Sequence, residues 1–142
     1  MEIYIKKFNS LSLNELFAIV RARERVFHLE QKVTEEDFDE VDKVSYHIYL
    51  MHEKRLLGYI RLYGKNEEYH LGRFLTLERH KGYGKKVFEA ALRYAYDKLK
   101  AKRIIIHAQS YLIDFYKKYG FKVEGEPFEE AGIEHVKMIL EK

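Results

Sequence analysis

The chain has no cysteine, no tryptophan and one proline. Without thiols there is no disulfide, no thiolate metal site and no cysteine nucleophile, so an acyl-cysteine route is excluded. A long apolar run is also missing, as is the charged-then-apolar start of a secretory signal, so no membrane span or export is expected and a cytoplasmic location is. Charge of one sign is lacking too. The 26 Lys and Arg and 23 Asp and Glu intermix to a net +3, which is too little to argue for nucleic-acid binding. The seven histidines show no His-Glu-x-x-His or similar ligand spacing, and no metal is expected. Asn and Gln are scarce beside abundant charge, a composition that heat-adapted proteins tend to share.

What is present is 46% hydrophobic and 35% charged over 142 residues, enough for one globular domain spanning 1–142, with no repeat or linker. Alternation predicts a strand over residues 2–8. Ser12 and Glu15 form a capping-box pattern, and a long helix is predicted to follow and run out near Glu30 and Gln31, burying Leu13, Leu16, Phe17, Val20 and Phe27. Arg23 falls beside that stripe and needs a partner. Residues 35–42 hold six carboxylates, read mainly as a solvated loop, with the sharper alternative that some face a cleft and attract a cationic amine. Strands follow over 45–51, 56–63 and 69–77, then a helix over 87–99. An apolar strand over 103–108 should pair in parallel with 69–77. Ser110 is placed to cap a helix carrying Leu112, Phe115, Tyr116 and Tyr119 on one face, and Gly120 to end it. Two short strands, 122–124 and 135–140, flank a loop with Gly125, Pro127 and Gly132.

The chain is organised around residues 76–86, where strand, glycine turn and helix succeed one another. Gly82 and Gly84 permit close approach of a ligand, and the helix start offers unpaired N–H groups and its positive dipole end. Such a socket suits a diphosphate. The spacing Arg79-x-x-Gly82-x-Gly84 is neither the dinucleotide fingerprint nor the P-loop, since Gly84-Lys85 is followed by Lys86. A ligand-free turn is the plain alternative.

This loop resembles the pyrophosphate-binding Arg/Gln-x-x-Gly-x-Gly/Ala loop of the GNAT superfamily of N-acetyltransferases, with His80 standing where that family often has Gly. Further pieces resemble its ElaA-like branch in the same order: Arg23-x-x-Val26-Phe27-x-x-Glu30-Gln31, the acids Asp37, Asp39 and Asp42, His47, Gly72-Arg73, Ala108-Gln109-Ser110, Phe115-Tyr116-x-x-Tyr119-Gly120-Phe121 and Glu130-x-Gly132-Ile133-x-His135. The resemblance implies an α/β domain with a mixed sheet of about six or seven strands, and acetyl-CoA as co-substrate. Arg79, Lys81, Gly82, Tyr83, Gly84 and Lys85 would hold the coenzyme, with Gln109 nearby. A main-chain N–H near Phe74, Leu75 or Thr76 would meet the thioester oxygen. Tyr116 would donate a proton to the departing sulfur, although its helical spacing alone reads as core.

The acceptor implied is a primary amine of a small molecule or peptide. Such an amine is protonated near neutral pH and needs a base. Glu30, Asp42 and His135 are the candidates, unranked by spacing. Arg23, Gln31, His47 and Arg73 complete the expected acceptor side, the arginines either orienting a substrate carboxylate or only pairing with acids. The resemblance further implies possible dimerisation. A coenzyme-binding sensor without catalysis, and a basic nucleic-acid module, are the rival readings.

Overall fold

The computed structural model describes residues 1–142. A seven-stranded sheet runs in the order β1-β2-β3-β4-β5-β7-β6. Its strands are β1 (Glu2–Lys7), β2 (Tyr46–His52), β3 (Arg55–Lys65), β4 (Glu68–Thr76), β5 (Arg103–Gln109), β6 (Lys122–Glu130) and β7 (Ile133–Glu141). The helices are α1 (Leu13–Arg23), α2 (Tyr83–Asp97) and the short α3 (Ile113–Lys117). Neighbouring strands are antiparallel except β4 and β5, which are joined through α2 and run in parallel. The expected mixed α/β domain is what forms.

Sequence chemistry accounts for the element ends. Ser12 Oγ accepts from the Glu15 N–H at 3.0 Å while Glu15 Oε1 accepts from the Ser12 N–H at 2.8 Å, so the capping box starts α1. Gly120, at φ 94°, closes α3, and the Phe121 N–H reaches back to the Tyr116 carbonyl at 3.3 Å. Ser110 does not cap that helix. The chain makes a 3₁₀ turn over Ser110–Leu112 first, leaving the Ser110 hydroxyl buried without a partner. The tail strands are longer than predicted, because Gly125 and Pro127 sit within an irregular stretch of β6 rather than in a loop, and only Ala131 and Gly132 turn the hairpin.

The α1 expectation needs a larger correction. Leu13, Phe17 and Val20 are exposed, and the buried stripe is Ile19, Ala22, Arg23, Val26 and Phe27. A guanidinium occupies the core-facing position, and of the expected stripe only Phe27 is buried and Leu16 half-buried. The helix also does not run evenly to Glu30. Residues Glu24–Glu30 widen into a π-helical segment, with the Gln31 N–H bonded to the Val26 carbonyl at 2.9 Å. This stripe, with Tyr49, Leu56, Tyr59 and Leu75, forms the smaller core on one face of the sheet. The larger core lies on the other face, where α2 and α3 pack Val87, Phe88, Ala91 and Tyr116 against Ile60, Leu71, Ile104 and Ile106.

Candidate active site

β4 and β5 pair only at their beginnings, over Glu68 to Leu71 against Arg103 to Ile106. Beyond Leu71, β4 bends away. Its register against β3 slips so that Ile60 faces both Arg73 and Phe74, a β-bulge, and Arg73 takes φ 54° in the left-handed region. That conformation costs a non-glycine residue ~1 kcal/mol or more, and it persists only where surrounding contacts impose it. The bend leaves the β5-facing edge of β4 without a strand partner. The Leu77 N–H bonds the Leu57 carbonyl at 3.1 Å, so ladder alternation turns the Leu75 amide toward β3 and the amides of Thr76 and Phe74 into the gap. Of the three expected thioester-facing donors, Leu75 is thus set aside by its orientation.

At the end of β4 lies the glycine turn. Gly82, at φ 76°, has open space where a Cβ would stand, whereas a Cβ on Gly84 would come within 2.8 Å of Thr76 Cγ2. One glycine gives the turn and the other lets α2 seat against the strand. His80, where the family often has glycine, also adopts a left-handed φ, 61°, so the local backbone keeps the glycine-like path. No side chain caps α2, its first turn holds no acid, and the N–H groups of Tyr83, Gly84 and Lys85 have no main-chain acceptor. Arg79 and Lys81 lie in the turn before this end and Lys85 in its first helical turn. The donor set fits a diphosphate.

The gap between β4 and β5 opens into a cavity of about 480 Å³. Of the residues singled out from the sequence, Gln31, Arg73, Phe74, Gln109, Tyr116 and His135 line it, while Arg23, Glu30, Asp42 and His47 do not. Gln109 donates to Gln31 Oε1 at 3.1 Å, tying the end of β5 to the end of the π segment. Tyr116, 3% exposed and packed against Phe74 and Phe88, has no hydrogen-bond partner for its hydroxyl. Burial raises its pKa well above the usual tyrosine value, so the phenol stays protonated.

His135 is 6% exposed, and its Nδ1 lies 2.7 Å from the Ile133 carbonyl. A carbonyl can only accept, so Nδ1 carries a proton, and in the ring's uncharged form the lone pair is the one on Nε2. That Nε2 is 3.9 Å from Glu130 Oε2, too far for a hydrogen bond. The other Glu130 oxygen lies 3.1 Å from His107 Nδ1, and hydrogen bonding from His107 lowers the Glu130 pKa, which keeps it ionised. Glu130, Arg61 and the exposed pair Glu35 and Glu36 also line the cavity, and sequence reasoning gave none of them an individual role.

Asp37, Asp39, Arg61 and Arg73 of this wall join Arg23 and Asp42 behind it in a closed six-membered ring of alternating charge. Arg23 binds Asp37 at 2.9 Å and Asp42 at 2.7 Å. Arg61 binds Asp42 at 3.1 Å and Asp39 at 2.9 Å, and Arg73 closes the circuit through Asp37 at 2.9 Å and Asp39 at 3.5 Å. Burial by itself would raise the Asp42 pKa, but hydrogen bonding and charge from Arg23 hold it below the usual carboxylate value. His47 supports the ring from beneath. Its Nε2–H donates to the Asp42 carbonyl at 2.9 Å, its Nδ1 accepts from Tyr59 Oη at 2.7 Å, and burial keeps it neutral by lowering its pKa. Asp37, Asp39 and Asp42 are therefore not the solvated acids of the plainer sequence reading. Arg23 and His47, fully buried, hold structure rather than reach a ligand, and Asp42 and the exposed Glu30 stand outside the cavity as candidate bases.

A family model described as an acetyltransferase (GNAT) domain matches residues 15–142. The chain belongs to the GNAT acetyltransferase family. A UPF0039 protein of Synechocystis is 32% identical to it over 95% of the chain and 92% of its own length. The crystal structure of Escherichia coli ElaA superposes on this GNAT chain with a TM-score of 0.91 at 26% identity, covering 99% of both chains. An acyl-CoA N-acyltransferase of Pseudomonas aeruginosa gives a TM-score of 0.91 at 28% identity, covering 98% of this chain and 99% of its own. The ElaA-like resemblance and the fold class are thereby borne out.

Proposed function

We propose that the protein transfers an acetyl group from acetyl-CoA to a primary amine by direct attack within a ternary complex. The observation that carries this reading is the parting of β4 from β5 after Leu71, which exposes strand amides beside a cavity holding both Tyr116 and His135. The coenzyme supplies an activated acyl thioester. Arg79, Lys81 and Lys85, with the N–H groups that begin α2, hold its diphosphate, and the free edge of β4 holds the chain that leads inward. The amide of Phe74 or Thr76 donates to the carbonyl oxygen as it gains negative charge.

His135 Nε2 takes the ammonium proton, with Glu130 beside it to stabilise the imidazolium that forms. Its Nδ1–H is committed to the Ile133 carbonyl and the residue lines the cavity, which favours His135 over Glu30 and Asp42. The Tyr116 hydroxyl, protonated and without a partner, donates to the departing thiolate. The test is thiol release from acetyl-CoA across an amine panel, alongside the melting shift caused by the coenzyme alone. Release and shift together support an enzyme. A shift without release supports a sensor, and neither removes the coenzyme from the site. Gly82→Asp, which adds bulk and negative charge at the diphosphate position, should abolish the shift.

A further inference from the structure

The cavity wall carries five carboxylates, Glu35, Glu36, Asp37, Asp39 and Glu130, against two guanidiniums, Arg61 and Arg73, in a chain whose overall charge is +3. The ring accounts for Asp37, Asp39 and both arginines, and the Arg23 and Asp42 behind them cancel one another. The carboxylates left over stand at two places. Glu130 is beside His135, and Glu35 and Glu36, on the segment after the π helix, have no salt-bridge or hydrogen-bond partner. His135 supplies the independent sign of a ligand: its side chain is 8% exposed, it lines the cavity, and its Nε2 makes no hydrogen bond. Its 3.9 Å separation from Glu130 Oε2 is too long for direct bonding and suits one ammonium group donating to both atoms. The lining also holds apolar side chains, among them Phe27, Val33 and Ile133.

We infer that the acceptor is a flexible aliphatic dication, an α,ω-diamine or polyamine, whose reacting amine sits between Glu130 and His135 and whose second ammonium lies toward Glu35 and Glu36. The inference rests on the acyl-transfer reading for the identity of the reacting end only. The apolar side chains of the lining take the methylenes, and a wall of one net sign concentrates dications over monocations. A substrate carboxylate is disfavoured because every arginine on the wall is already matched by ring aspartates.

The experiment compares butylamine, 1,4-diaminobutane, spermidine and 4-aminobutanoate as acceptors. It also measures diaminobutane binding to the CoA-saturated protein by calorimetry, which needs no turnover. Diaminobutane should exceed butylamine about tenfold in kcat/KM, and the E35Q/E36Q double variant should bring that ratio close to one through KM. Equal use of butylamine and diaminobutane, a preference for 4-aminobutanoate, or a ratio unmoved in the double variant would overturn the inference while leaving acyl transfer intact. Diaminobutane binding without thiol release would do the reverse, and no calorimetric binding at all would overturn the inference directly.

Discussion

The two ends of the cavity are built in opposite ways. On the coenzyme side the working groups are main-chain amides, placed by a bend in β4 and the start of α2, and nearly all of them fall within residues 72–85. On the acceptor side they are side chains drawn from segments far apart in the chain, and four of them, Asp37, Asp39, Arg61 and Arg73, are held in the ring. A main-chain site tolerates most side-chain change but not a Cβ or a shift of path. A side-chain site tolerates change of path but not the loss of one charge.

The sharpest way to break that comparison is to remove a ring member. Arg23→Met removes one of the two guanidiniums that each of Asp37 and Asp42 pairs with and should cost ~3–5 kcal/mol, read as a lower denaturant midpoint. His135→Gln should lower kcat by about a hundredfold or more while the coenzyme-induced melting shift remains. On the main-chain side, Gly84→Ala forces a Cβ against Thr76 Cγ2 and should cost ~1–3 kcal/mol while weakening coenzyme binding. His80→Gly, relieving the left-handed φ of 61°, should instead stabilise the protein by up to ~1 kcal/mol.

Acid separates the two sides as well. Burial lowers the His47 pKa, so as pH falls below 6.5 the unfolded chain takes up a proton that the native one refuses, and stability declines. Asp42 is held below its usual 3.8, and Glu15, despite burial, is lowered from 4.5 to about 2 by Lys6, Ser12 and Tyr49. Both contribute stability that is present above their unfolded values and lost as pH falls further. Denaturation midpoints measured from pH 7 down to 2 should drop throughout, and His47→Phe should flatten the portion near pH 6.

The same contrast explains what the sequence disclosed. The end of the strand, the glycine turn and the start of the helix lie within a dozen residues, and glycine spacing with helix periodicity is a local signal. The capping box at Ser12 and the Gly120 terminus were legible for the same reason. Arg23 was legible as a guanidinium beside an apolar stripe in need of a partner, but spacing did not identify its partners, the distant Asp37 and Asp42. Gly125 and Pro127 read as loop punctuation, yet here they mark an irregularity within one strand. Glu130 had a faint signal in Glu-Ala-Gly-Ile, a tight turn that returns the chain to His135, but its approach to Nε2 depends on hairpin register, which spacing does not give.

The closed ring also constrains how this protein can be altered. Each member touches two neighbours of opposite sign, so a single exchange strands a charge whichever position is chosen. Retuning the acceptor wall, whether by a designer or by descent, would have to proceed through matched pairs, exchanging an arginine and an aspartate together.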